Sequence, residues 1–179
     1  MKQSFLKIAL VSHIWQNNIR SLFQGRISPE TFVFLCRKQM AVMAVFKHAK
    51  YSRVGKRVFI DPFAPFFPSP YFLKAMENNG VDTYPLKPNY AQISITNTCP
   101  CRCFHCHVKN TEEADLPRET ILDLIREIAR NDFPLIFFVG GEPFSRFENL
   151  VEYVREANTF MDTRVFTSGI GATRSRLQR

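Results

Sequence analysis

Four of the chain's five cysteines, Cys99, Cys101, Cys103 and Cys106, fall within eight residues. That is too tight for a framework of separate disulfides, whose paired Cα atoms must stand about 5.5–6 Å apart with suitably aimed Cβ vectors. It suits a metal or cluster site in a reducing compartment. In the run Asn97-Thr98-Cys99-Pro100-Cys101-Arg102-Cys103-Phe104-His105-Cys106-His107, three of the thiols show the spacing Cys-x3-Cys-x2-Cys: Cys99, Cys103 and Cys106. Three thiolates on a short irregular loop can each hold one iron of a 4Fe-4S cube and leave the fourth iron open, whereas electron-carrier clusters usually take four cysteines. An open iron is a place for a substrate or cofactor. Cys101 leaves a second register open, Cys101 with Cys103 and Cys106. The four thiols with His105 and His107 also offer enough ligands for tetrahedral zinc, although structural zinc usually draws two ligand pairs from separated segments.

A parallel α/β layout is expected to position this loop. From Tyr90 the pattern alternates strand, helix, strand, helix, strand, over residues 91 to 96, 117 to 130, 134 to 139, 147 to 157 and 164 to 167. Such alternation predicts βα units and a parallel sheet. In the first helix Ile121, Leu124, Ile125 and Ile128 form the expected buried stripe. The strand Leu-Ile-Phe-Phe-Val is apolar throughout, as a strand covered on both faces should be. The cysteine loop follows the first strand, and Gly140-Gly141-Glu142-Pro143 follows the second. The third strand runs into Thr167-Ser168-Gly169. Loops at strand C-termini are where such folds carry chemistry.

Together these segments resemble the radical S-adenosylmethionine (SAM) superfamily, whose cluster loop has this spacing at the end of the first barrel strand. The resemblance spans about residues 90 to 170. It implies a 4Fe-4S cluster held by Cys99, Cys103 and Cys106, and SAM bound by Gly140, Gly141, Glu142, Pro143, Ser168 and His105. It implies an enzyme in which an external one-electron reductant feeds the cluster. SAM is cleaved reductively to a 5′-deoxyadenosyl radical, which takes a hydrogen atom from a substrate the sequence does not identify. Two glycines would let the loop backbone approach the ligand closely. His105 stands where relatives carry a larger aromatic ring and would pack toward adenine. The expected fold is α/β: an N-terminal helical extension, then the first half of a partial (β/α) barrel with parallel strands. Family barrels usually have six βα units, so the core at residues 90–179 is read as incomplete: a fragment, a truncated product, or a sheet completed by a partner. The alternative reading is a noncatalytic zinc- or iron-sulfur-binding interaction module. A ferredoxin-like carrier, with a fourth cysteine ligand, is a third.

The remaining residues fall into a basic helical extension at 1–60 and a Pro/Phe-rich linker with a short helix at 61–89. Residues 1 to 60 carry eleven Lys and Arg against the single acid Glu30, and the rest of the chain 13 basic against 15 acidic side chains. Phe5, Ile8, Val11, Trp15, Ile19 and Leu22 recur at helical spacing, with Gly25 as a left-handed cap. Ser28-Pro29 opens a second helix through Phe32, Leu35, Val42 and Phe46, with Cys36 as a buried thiol. Residues 57 to 60 read as a strand, and DPFAPFFPSP as a stiff linker before a helix that starts at Ser69-Pro70 and stops at Gly80. No apolar run reaches the roughly 18 residues of a membrane span, and no cleavage pattern marks a secretory signal. The basic helices admit three readings: a cover on the barrel, contact with an anionic membrane surface, or docking to an acidic partner or nucleic acid. No nucleic-acid motif accompanies the charge. The expected location is the cytoplasm, peripheral to the membrane where the basic helices touch it.

Overall fold

A computed structural model describes residues 3–45, 50–78, 87–106 and 113–178. It divides into two compact units, Met1–Asn89 and Tyr90–Arg179. Phe46, Gly80 and His107 lie outside the described residues.

The first unit opens with helices α1 (Gln3–Phe23) and α2 (Pro29–Val45). Gly25, at φ +66°, ends α1 in a Schellman motif: its N–H bonds Leu22 O, and the Arg26 N–H bonds Ser21 O. The Ser28 hydroxyl accepts the Thr31 N–H at 3.1 Å, the N-cap expected before Pro29. The buried line of α1 is Leu10, Ile14 and Asn18, not the expected stripe, of which Ile8, Trp15 and Ile19 are exposed. Both lines obey helical spacing, and periodicity alone does not say which one faces the core. Between the helices Asn18 Nδ2 donates to Gln39 Oε1 at 2.6 Å and lies 3.8 Å from the sulfur of half-buried Cys36.

Strands β1 (Ser52–Val54) and β2 (Arg57–Phe59) then form an antiparallel hairpin around Gly55, whose φ of +60° suits a primed hairpin turn. The sequence reading had only its second strand. The Pro/Phe-rich segment, expected as a linker, packs into this unit. Phe67 exchanges two backbone hydrogen bonds with Val58. It is buried with Leu10, Ile14, Tyr51, Ile60 and Phe72, because its phenylalanines supply core that short strands lack. The Ser69 hydroxyl caps helix α3 (Pro70–Asn78).

In the second unit strands β3 (Ala91–Ser94), β4 (Leu135–Val139) and β5 (Asp162–Val165) form a parallel sheet in sequence order. Helix α4 (Arg118–Arg130) joins the first pair and α5 (Phe147–Ala157) the second; α6 (Arg174–Leu177) follows. This is an N-terminal helical extension followed by part of a (β/α) barrel, as expected. Ile93, Ile136, Phe138 and Val165 pack with Ile121, Ile125, Leu150 and Tyr153 in one core. On the other side of β4, Phe137 stacks on Phe166 at 4.9 Å and meets the Tyr90 ring edge at 5.4 Å. All four residues from Leu135 to Phe138 are therefore buried, as a doubly covered strand requires. The α4 stripe is turned slightly from expectation: Leu122 is buried and Leu124 exposed. Among the described residues no helix is long and apolar enough to cross a membrane.

The Asn18–Gln39 pair generates a prediction. Gln39→Leu alone strands a buried amide and should cost about 1–3 kcal/mol in urea unfolding, whereas the double change to Leu at both positions should recover most of that loss. A single change as harmless as the double one would show that the pair is not coupled.

Candidate functional site

The three loops leaving β3, β4 and β5 meet at the C-terminal end of the sheet. Two carboxylates tie them together. Glu142 is buried, and its side chain points into the loops. Oε1 accepts the Phe144 N–H at 3.0 Å and the Thr167 hydroxyl at 2.5 Å. Oε2 accepts the Ser168 N–H at 2.7 Å and its hydroxyl at 2.6 Å. Burial would raise the Glu142 pKa, but these donors outweigh it and hold the carboxyl below its ordinary value. The loop after β4 is thereby fastened to the loop after β5.

Asp115 does the same for the cysteine loop. It accepts the Asn97 N–H at 2.8 Å, the Thr96 hydroxyl at 3.0 Å and Arg146 Nε at 2.7 Å. Here too burial works upward, while Asn97, Arg146 and Thr96 lower the pKa on balance. Arg146 Nη2 reaches on to the Thr98 hydroxyl at 3.3 Å. One carboxylate thus pins both ends of the segment containing all four clustered cysteines. Asp115, Arg146, Thr96 and Thr98 were not among the predicted site residues: scattered polar residues outside any period leave no local signal for a contact 31 residues apart.

The two glycines serve the same junction. The Gly141 N–H donates to Thr96 O at 2.6 Å and the Glu142 N–H to Thr98 O at 2.9 Å. A Cβ on Gly140 or Gly141 would stand 2.3 Å from the carbonyl oxygen of Thr96 or Thr98 respectively, and Gly140 holds φ +130°. In the structure they let two protein loops touch. Pro143 opens a 3-10 turn, Pro143–Arg146, and is buried.

The structure brings Gly140, Gly141, Glu142, Pro143 and Ser168 together, with Cys99 beginning just after the junction. Cys99, Cys101 and Cys106 are half-buried, Cys103 is exposed, and none of them is in a disulfide. The Cys101 backbone N–H on Cys99 favours its thiolate, yet burial, the Cys101 thiol and the Glu142 carboxylate together push the Cys99 thiol up. Cys106 N–H closes a turn onto Cys103 O at 3.2 Å. His105 is exposed, its ring edge-on to Phe104 at 4.9 Å. Among the described residues no three His, Cys, Asp or Glu side chains are gathered as a ligand set. The donors fit an iron-sulfur cluster in kind, four soft thiols on one loop outside any disulfide, but they are not preassembled around a centre.

The family profile described as Radical SAM superfamily matches residues 93–179. A radical SAM superfamily domain is thus detected over this part of the chain. A probable GTP 3′,8-cyclase of Methanocella arvoryzae is 31% identical over 91 residues, 50% of this chain and 29% of the relative. A GTP 3′,8-cyclase of Marinobacter nauticus is 37% identical over 78 residues, 40% of this chain and 23% of the relative. A probable GTP 3′,8-cyclase of Saccharolobus islandicus is 36% identical over 85 residues, 44% of this chain and 27% of the relative. The chain spans less than a third of the length of these curated relatives. No solved structure matches it significantly.

Two predictions follow from the junction. A depressed carboxylate makes the unfolded chain bind more protons than the folded one below the ordinary carboxylate value. Stability from Glu142 is therefore full above that value and lost as pH falls through the folded one. Glu142→Gln should cost about 1.5–3 kcal/mol at pH 7 and flatten the loss of stability on acidification; an unchanged acid slope would remove Glu142 from the account. Gly141→Ala should force the β3 and β4 loops apart, lowering the melting temperature by several degrees, about what 1–3 kcal/mol of overpacking produces in a domain this size.

Proposed function

We propose that the chain binds a 4Fe-4S cluster through Cys99, Cys103 and Cys106 and SAM beside the Gly140-Gly141-Glu142-Pro143 loop, as part of a radical SAM enzyme. The observation that carries this reading is the junction itself: the cysteine loop and the glycine loop are bonded to each other at the ends of adjacent parallel strands. When bound, the cluster supplies an electron to the sulfonium of SAM, releasing a 5′-deoxyadenosyl radical that removes a hydrogen atom from substrate. An external reductant provides that electron.

The chain's own residues hold and orient. A methionyl amino group donates its N–H bonds, so the loop would meet it with carbonyl oxygens, the Gly141 and Glu142 N–H groups being spent on Thr96 and Thr98. Glu142, its lone pairs occupied by Phe144, Thr167 and Ser168, sets the loop's shape and adds negative charge nearby. On this reading Glu142 and the Ser168 hydroxyl act as positioning groups for the SAM loop. His105, on the exposed part of the cysteine loop, is the ring available to the adenine side. The fixed geometry that such chemistry needs rests on the Glu142 and Asp115 ties. The names of the GTP 3′,8-cyclases describe proteins more than three times the length of the matched segment, so the likeness supports the cofactor end and assigns no substrate.

Electron paramagnetic resonance of the anaerobically reconstituted, reduced chain, with and without SAM, tests the reading. A reduced 4Fe-4S signal that shifts on adding SAM is expected. Cys99→Ala, Cys103→Ala and Cys106→Ala should each abolish it, and Cys101→Ala should leave it formed. Stoichiometric zinc without iron, or a signal indifferent to SAM, would overturn the proposal, and loss of the cluster in Cys101→Ala would overturn the ligand set.

A further inference from the structure

Helix α1 is apolar along two lines. Leu10 and Ile14 face the core of their unit, while Ile8, Trp15, Ile19 and Phe23 form a second line that stays in solvent, Trp15 at 41% and Phe23 at 86% exposure. Their spacing of seven, four and four places them on one side of the helix. Helix α2 continues the surface. Val33 and Met40 are exposed a heptad apart with exposed Arg37 between them, and Met40 shares a small cleft with Trp15, Val11, Ile14 and Gln39. Six large apolar side chains thus share one side of the helical hairpin, and grouped exposure on this scale marks a contact surface.

The charge around it selects the occupant. Arg20, Arg26 and Arg37 are exposed on the same hairpin, within a segment that carries eleven basic residues and one acid. A second copy would bring like charge against like charge, which opposes self-association through this face. An anionic lipid surface answers both features: phosphate headgroups for the arginines and acyl chains for Trp15, Ile19 and Phe23, with the helix lying in the plane of the interface. We propose that the α1–α2 hairpin is a peripheral docking surface for an anionic bilayer, with Trp15 and Phe23 inserted. This stands independently of the radical SAM reading.

Trp15 is the chain's single tryptophan, so its fluorescence reports insertion directly. The full chain would be titrated with phosphatidylcholine vesicles with and without phosphatidylglycerol. The expected result is flotation with the anionic vesicles only, a blue-shifted Trp15 emission shielded from acrylamide, and loss of both in high salt. Phe23→Gln, at a position that buries nothing in the fold, should weaken partitioning about tenfold or more. Arg37→Glu should weaken it by a similar factor, since it replaces an attraction by a repulsion. Flotation with unshifted emission means charge adsorption without insertion and overturns the proposal. So does absence of flotation, which leaves the face to an acidic protein partner, or a blue shift that follows protein concentration without vesicles, which indicates a second copy.

Discussion

The buried Glu142 carboxylate is the constraint on which the C-terminal end of the sheet depends. A carboxylate removed from water costs several kcal/mol unless its lone pairs are met. Here four donors from two loops meet them. That arrangement is self-consistent only if the turn after β4 and the turn after β5 hold their positions together. Ser168 contributes both its N–H and its hydroxyl to one oxygen, so neither turn can shift without exposing or orphaning charge.

The cysteine loop is held by a different balance. Asp115 is less deeply buried and shares its charge with Arg146, so the Asp115–Arg146 pair alone contributes little in partly screened surroundings. Its weight lies in connectivity, because it joins the first residues after β3 to the segment entering α4 and to the 3-10 turn after β4. The glycines complete the design from the steric side. Hydrogen bonds pull the Gly141 N–H onto Thr96 O and the Glu142 N–H onto Thr98 O, and a Cβ at Gly141 would stand 2.3 Å from the Thr98 carbonyl oxygen.

Much of this was legible in the sequence where the determinant is local. The βα alternation, the Gly25 and Ser28 caps, the doubly buried strand and the cysteine spacing all express themselves within a few residues. What was not legible depends on which surface another segment presents. The α1 helix has two apolar lines and only packing chooses between them. The proline-rich run looks like a linker until Phe67 is seen to complete a core. Asp115 reads as an ordinary loop acid because its partners are 18 to 31 residues away. Glu142 stands out in the sequence by its motif, yet that its carboxylate turns into the scaffold, onto Phe144, Thr167 and Ser168, is a tertiary fact.

Anchoring and ligation are therefore separated along this loop. Thr96, Asn97 and Thr98 at its start, and Asp115 beyond its end, are fixed by protein bonds, while Cys103 stands exposed between them and the thiols are not gathered. If the proposed cluster is the ligand, its three thiolate bonds would supply the gathering, in the way metal binding supplies folding free energy where no preformed site exists. The protein's part would then be to keep the loop short and its ends fixed, so that little conformational entropy is left for those bonds to overcome. On that account a lesion at Asp115 and a lesion at Cys103 differ in kind. The first lengthens the effective loop and weakens assembly by degrees, whereas the second removes a ligand outright.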